Sequence, residues 1–152
     1  HIKSVTRRMA DEGFIALAPD LYRGVVTTEP DEARKLVMEL NRDHAMQDVQ
    51  GAVDYLVGMD SVSPKKIGVI GFCMGGSFAI SWACTDSRLN VVAPFYSMNP
   101  RPMQAVARSC PVVASFSEND FSKNGGIKLE AELTRAQLDL EYMHIRAPFH
   151  GL

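Results

Sequence analysis

The chain has 152 residues, 46% of them apolar and 22% charged, the balance of a soluble globular domain long enough for one hydrophobic core. Sixteen Lys and Arg against 18 Asp and Glu leave a net charge of -2, which provides no electrostatic footprint for nucleic acid or an anionic membrane surface. Charge, Gly or Pro interrupts every apolar run well short of the roughly 20 residues that span a bilayer, and no signal-peptide pattern opens the sequence.

Ile2, Val5 and Met9 recur at helical spacing before Gly13, which predicts a short amphipathic helix from about residue 2 to 12. Residues 14–18 are apolar on both faces and are closed by Pro19-Asp20, the pattern of a strand covered on both sides. Ala33, Leu36, Val37 and Leu40, then Val49, Ala52, Val53 and Leu56, draw two helical stripes, read as two helices or one bent near Asn41. Residues 66–72 form the next buried strand, and a small-residue segment from Met74 to Cys84 follows as a helix. Short apolar runs recur at 91–95 and 111–116, a last helical stripe passes through Leu129, Leu133 and Ala136, and residues 140–145 complete about five strands. Strands alternating with helices of this length require crossover connections, so the expected class is α/β, one domain, with a mostly parallel sheet and helices on both faces.

The chemistry is concentrated where a predicted strand turns sharply into a helix, at Gly71-Phe72-Cys73-Met74-Gly75-Gly76. The form G-x-C-x-G-G is a nucleophile elbow with Cys in place of Ser. Residues two before and two after the nucleophile, Gly71 and Gly75, are expected to lack β-carbons so that strand and helix can approach. The positive end of the helix beneath Cys73 favours its thiolate, and the Met74 backbone N–H would point at an incoming carbonyl oxygen. A free cysteine elsewhere is usually a small buried hydrophobe. The segment lacks the G-K-[ST] ending of a phosphate loop and does not fit G-x-G-x-x-G.

A thiol nucleophile needs a base, and the base an orienting carboxylate. Past the predicted strand ends lie Ser117-Glu118-Asn119-Asp120 and Phe149-His150-Gly151, in the chain order of elbow hydrolases. Asp120 is the preferred acid, Glu118 its rival; the plain alternative for Asp120 is to cap the next helix, and for His150 to be a loop histidine. His144 falls inside a strand and His44 reads as a solvated pair with Asp48. Three cysteines, Cys73, Cys84 and Cys110, without a C-x-x-C pair suit neither a disulfide framework nor structural zinc, which leaves a reducing cytoplasm as the default compartment and no metal.

Residues 13–22, the 71–76 elbow, Asn119-Asp120 and His150-Gly151 together resemble the dienelactone hydrolase family over nearly the whole chain. The resemblance implies an α/β-hydrolase fold over residues 1–152, Cys73 as nucleophile, His150 as base, Asp120 as its orienter, and no cofactor. It also implies a small ester or lactone such as dienelactone as substrate, with Arg23, Arg101 and Arg146 as candidates to meet an acidic group on it. Family members carry, upstream, a strand whose end supplies a catalytic-site glutamate and part of the oxyanion hole, and they continue past the histidine into a further helix. This sequence lacks both, so the domain reads as incomplete. The absent strand would lie between residues 14–18 and 67–72, whose open edges then call for an upstream segment, a homodimer, or direct pairing, expected in that order. The alternatives to an enzyme are a truncated domain serving binding or oligomerisation and a redox-sensitive thiol at Cys73.

Overall fold

A computed structural model describes residues 1–136, in two compact units, His1–Lys65 and one that begins at Lys66. The predicted elements at 140–145, with His144, Arg146 and His150, lie outside the described residues.

In the first unit, helix α1 spans Ile2–Asp11. It ends where expected: Gly13 takes φ 91°, its N–H donates to Ala10 O at 2.9 Å and the Phe14 N–H to Met9 O at 3.1 Å. These two hydrogen bonds around a left-handed glycine satisfy carbonyls that the last helical turn leaves open. A second turn follows at Asp20, whose carboxylate accepts from the N–H groups of Tyr22 and Gly24 at 3.0 and 2.7 Å. Helix α2, Pro30–Glu39, opens on a proline that needs no amide partner there, and helix α3 spans Arg42–Gly58. They are two helices because Leu40 is extended and the Asn41 side chain caps α3 by accepting from His44 N–H at 3.0 Å. Ala45, Val49 and Val53, one turn apart, are the buried line of α3.

Residues 14–18 are not a strand, contrary to the sequence expectation: they join no ladder among the described residues, and Phe14, Ile15 and Leu17 are exposed. An apolar run records that a segment favours burial. A strand also requires a neighbour's N–H and C=O groups, which no residue of the segment supplies for itself.

The second unit holds the sheet. Strands β1, Ile67–Phe72, and β2, Leu89–Phe95, pair in parallel from Gly68 opposite Val91 to Phe72 opposite Phe95. A register shift at the start leaves Asn90 over, and its side-chain oxygen accepts the Ile67 N–H at 2.9 Å. Residues 111–116 run parallel beside β2 on its other side, bridging Val92 to Val112 and Phe95 to Ser115. Helix α4, Met74–Ala83, is the crossover between β1 and β2 and packs on both, burying Phe78, Ile80 and Trp82. A 3₁₀ helix at Met103–Arg108 precedes the third run, and helix α5, Lys123–Arg135, packs against it with Leu129 and Leu133 inside. Parallel pairing across helical crossovers is the architecture expected from the strand and helix alternation. No helix among the described residues is long and apolar enough to cross a membrane.

Candidate active site

Cys73 is the single residue between β1 and α4, and it is exposed with φ 54° and ψ -117°. Its backbone belongs to both elements: the N–H donates to Phe95 O at 3.0 Å, extending the sheet, while the C=O accepts the Ser77 N–H at 3.1 Å, opening the helix. Joining the two within one residue forces the positive φ, a conformation costing about 1–3 kcal/mol for a residue with a β-carbon. The elbow predicted from G-x-C-x-G-G therefore forms at the expected residue.

Its glycines divide the work differently from the expectation. A β-carbon on Gly71 would stand 2.2 Å from Gly75 O, so glycine is required there. One on Gly75 would meet nothing within 4 Å, whereas one on Gly76 would come within 2.8 Å of the Ser97 β-carbon and 2.9 Å of Gly71 O. Gly76 therefore faces strand and sheet where Gly75 was expected to do so: the Gly75 backbone lies against Gly71, but its β-carbon direction points into open space.

The neighbouring strand ends the same way. Phe72 and Phe95 face each other in the register, with ring centroids 5.0 Å apart, and the residue after each, Cys73 and Tyr96, has positive φ. Tyr96 is held by its N–H donating to Ser115 O at 2.7 Å, and its ring centroid lies 6.5 Å from that of Phe72. The carboxyl ends of three parallel runs thus lead into Cys73, Tyr96 and the 117–120 loop, the edge at which open α/β sheets place their sites.

Asp120 lies in that loop, exposed, two residues before the Ser122 cap of α5. Its Oδ1 accepts from Ser122 N–H at 2.7 Å and from Ser122 Oγ at 2.6 Å. Those bonds, with a smaller contribution from Ser117, hold the carboxyl below its ordinary range. Asp120 thus orders the turn that leads into α5, whose N-cap is Ser122 and not Asp120. Glu118 is exposed in the same loop. Arg23 is engaged by the Asp48 carboxylate at 3.2 Å within the first unit, so Asp48 serves Arg23 rather than the expected His44. Arg101 is exposed.

The other two thiols differ from Cys73. Cys84 is buried, its sulfur 3.1 Å from Ile80 O, and burial pushes it up to about 11. Burial also raises Cys110. Among the described residues no three His, Cys, Asp or Glu side chains converge as a metal site would require.

Two supporting side chains escaped the sequence reading. Ser77 Oγ donates to Cys73 O at 3.2 Å and accepts the Met98 N–H at 2.9 Å; Asn99 Nδ2 donates to Gly125 O, in the first turn of α5, at 2.8 Å. The signal for Ser77 is a hydroxyl one helical turn after Cys73, a signal that α4 blurs by carrying a second hydroxyl at Ser81.

Residues 1–150 match the family model described as the dienelactone hydrolase family. A putative carboxymethylenebutenolidase of Aquifex aeolicus is 34% identical over 131 residues, which cover 82% of this chain and 56% of that protein. Protein usf of Aquifex pyrophilus is 37% identical over 102 residues, 64% of this chain and 44% of that one. The chain spans about half the length of these curated relatives. A putative dienelactone hydrolase from Klebsiella pneumoniae superposes with a TM-score of 0.78 at 21% identity, over 94% of this chain and 66% of that one, which shows the α/β-hydrolase fold.

Proposed function

The chain belongs to the dienelactone hydrolase family, and from that membership we propose that it cleaves a small ester or lactone through the thiol of Cys73. The observation that carries the proposal is the conformation of Cys73, exposed and held at positive φ at the junction of β1 and α4. The strand-to-helix junction forces the strained conformation on residue 73, but no packing role calls for a cysteine at that exposed position, whereas a nucleophile gains presentation from it.

In the proposed reaction the Cys73 sulfur adds to the substrate carbonyl and the carbonyl electron pair moves onto oxygen. Collapse of this oxyanion breaks the ester C–O bond and expels an alkoxide or enolate. His150, neutral once its proton has passed to the expelled alkoxide or enolate, then deprotonates a water that adds to the thioester; collapse breaks the C–S bond and gives the acid, the Cys73 thiolate and the protonated His150 again. Met74, in the first turn of α4, is assigned as a backbone donor to the oxyanion, where one donor typically supplies 10²–10³ in rate. Asp120 is assigned to orient His150. A thiolate suits a good leaving group, so an enol lactone demands little protonation in the first step.

Rapid mixing of the chain with p-nitrophenyl acetate, with and without prior treatment by iodoacetamide, tests the reading. A burst of one p-nitrophenolate per chain that alkylation removes is the expected result. Hydrolysis that is indifferent to alkylation, or the absence of a burst, overturns it.

A further inference from the structure

The Cys73 carbonyl and the Met74 N–H are the two ends of one planar peptide unit and point in opposite directions, so whatever fixes one fixes the other. In the first turn of a helix such a carbonyl ordinarily has one intrahelical donor, the N–H four residues on. Here it has two, the Ser77 N–H at 3.1 Å and the Ser77 hydroxyl at 3.2 Å. The hydroxyl is itself oriented: Met98 N–H donates to it at 2.9 Å, which occupies its acceptor side and leaves its proton for Cys73 O. Ser77 is buried, at 4% exposure, so water does not compete for these bonds. Met98 follows Ser97, whose β-carbon lies against Gly76, so the segment that holds the hydroxyl is packed on α4.

We infer that Ser77 is a positioning residue for acyl transfer: its hydroxyl locks the Cys73–Met74 peptide plane and thereby aims the Met74 N–H at the oxyanion. Without it, the carbonyl end of that plane keeps only the Ser77 N–H next to a strained residue and rocks more about the Cys73 ψ and Met74 φ torsions, so the donor spends less time where the charge develops. The sulfur is attached through the Cys73 α-carbon, which the β1 ladder holds independently through Cys73 N–H to Phe95 O. The hydroxyl therefore affects oxyanion stabilisation more than thiol presentation.

This inference rests on Cys73 being the nucleophile, and the test separates the two. The whole chain and its Ser77→Ala variant are compared in single-turnover acylation of Cys73 by p-nitrophenyl acetate, read by mass, and in alkylation of Cys73 by iodoacetamide, a direct displacement that builds no oxyanion. Saturating acylation is expected to fall about 10- to 100-fold, the loss of a misaimed rather than a deleted donor, with little change in the half-saturating ester concentration and an unchanged alkylation rate. The isosteric pair Ser77→Thr and Ser77→Val isolates the hydroxyl if the alanine variant folds poorly: the first retains acylation and the second loses it. Equal acylation with and without the hydroxyl overturns the inference, as does a parallel loss of acylation and alkylation. A parent chain that is alkylated but never acylated at Cys73 overturns the hydrolase reading, and the inference with it.

Discussion

Gly71 and Gly75 touch through backbone alone: a β-carbon at position 71 would lie 2.2 Å from the Gly75 carbonyl oxygen, while one at 75 would meet nothing. Strand β1 and helix α4 therefore meet at the elbow only because position 71 lacks a side chain. Gly71→Ala must push backbone against backbone, and the expected loss is about 3 kcal/mol or more, beyond ordinary overpacking. Gly75→Ala lies in a helix with open space and should be neutral or stabilising by up to about 1 kcal/mol. Urea denaturation of the two variants reads this contrast; equal losses would refute the account of the elbow.

The three cysteines should separate by reactivity. Cys73 is exposed, whereas Cys84 is buried with its thiol raised to about 11. Alkylation of the native chain at neutral pH, followed by peptide mass mapping, should label Cys73 first and leave Cys84 unmodified until the protein unfolds. Early labelling of Cys84 would contradict the packing of α4.

Replacing the proposed nucleophile and its proposed supporting acid should have different consequences. Cys73→Ala should lower ester hydrolysis by orders of magnitude while leaving stability nearly unchanged, because alanine keeps the β-carbon and with it the strain at φ 54°. Asp120→Asn removes a charge that orders the turn before α5 through Ser122. It should reduce turnover and leave the fold intact; unchanged turnover would move the acid's role to Glu118 or eliminate it.

Asp86 supplies a pH signature in the scaffold. Its carboxylate accepts from Arg88 Nη2 at 2.7 Å and from Trp82 Nε1 at 3.2 Å. The Arg88 hydrogen bonds lower it to about 2. A carboxyl depressed on folding contributes stability that is fully present above its unfolded pKa of about 3.9 and is lost as pH falls through the folded value. With Arg88 partly exposed, the contribution is discounted to about 1 kcal/mol. Asp86→Asn should cost that much at pH 7 and nothing measurable near pH 2, by urea titration at both pH values. A cost that persists in acid would assign the effect to packing rather than to charge.

Features whose partners lie within a few residues were legible in the sequence. Gly13 ends α1 with its own N–H on Ala10 O and the Phe14 N–H on Met9 O, the helical stripe breaks at Asn41, where two helices or one bent helix were expected, and Cys73 is strained between a strand and a helix adjacent to it in the chain. Local backbone geometry decides these, and the residue types that permit it are few. Tertiary structure decided what depends on distant partners. Residues 14–18 carry the composition of a strand yet join no ladder, because pairing needs a second segment that composition does not specify. The same holds for which glycine of Gly75-Gly76 is sterically required, for Asp48 pairing with Arg23, and for the hydroxyl of Ser77 lying between Cys73 O and Met98 N–H. Each is set by where the chain returns in space, and a one-dimensional pattern carries no term for that.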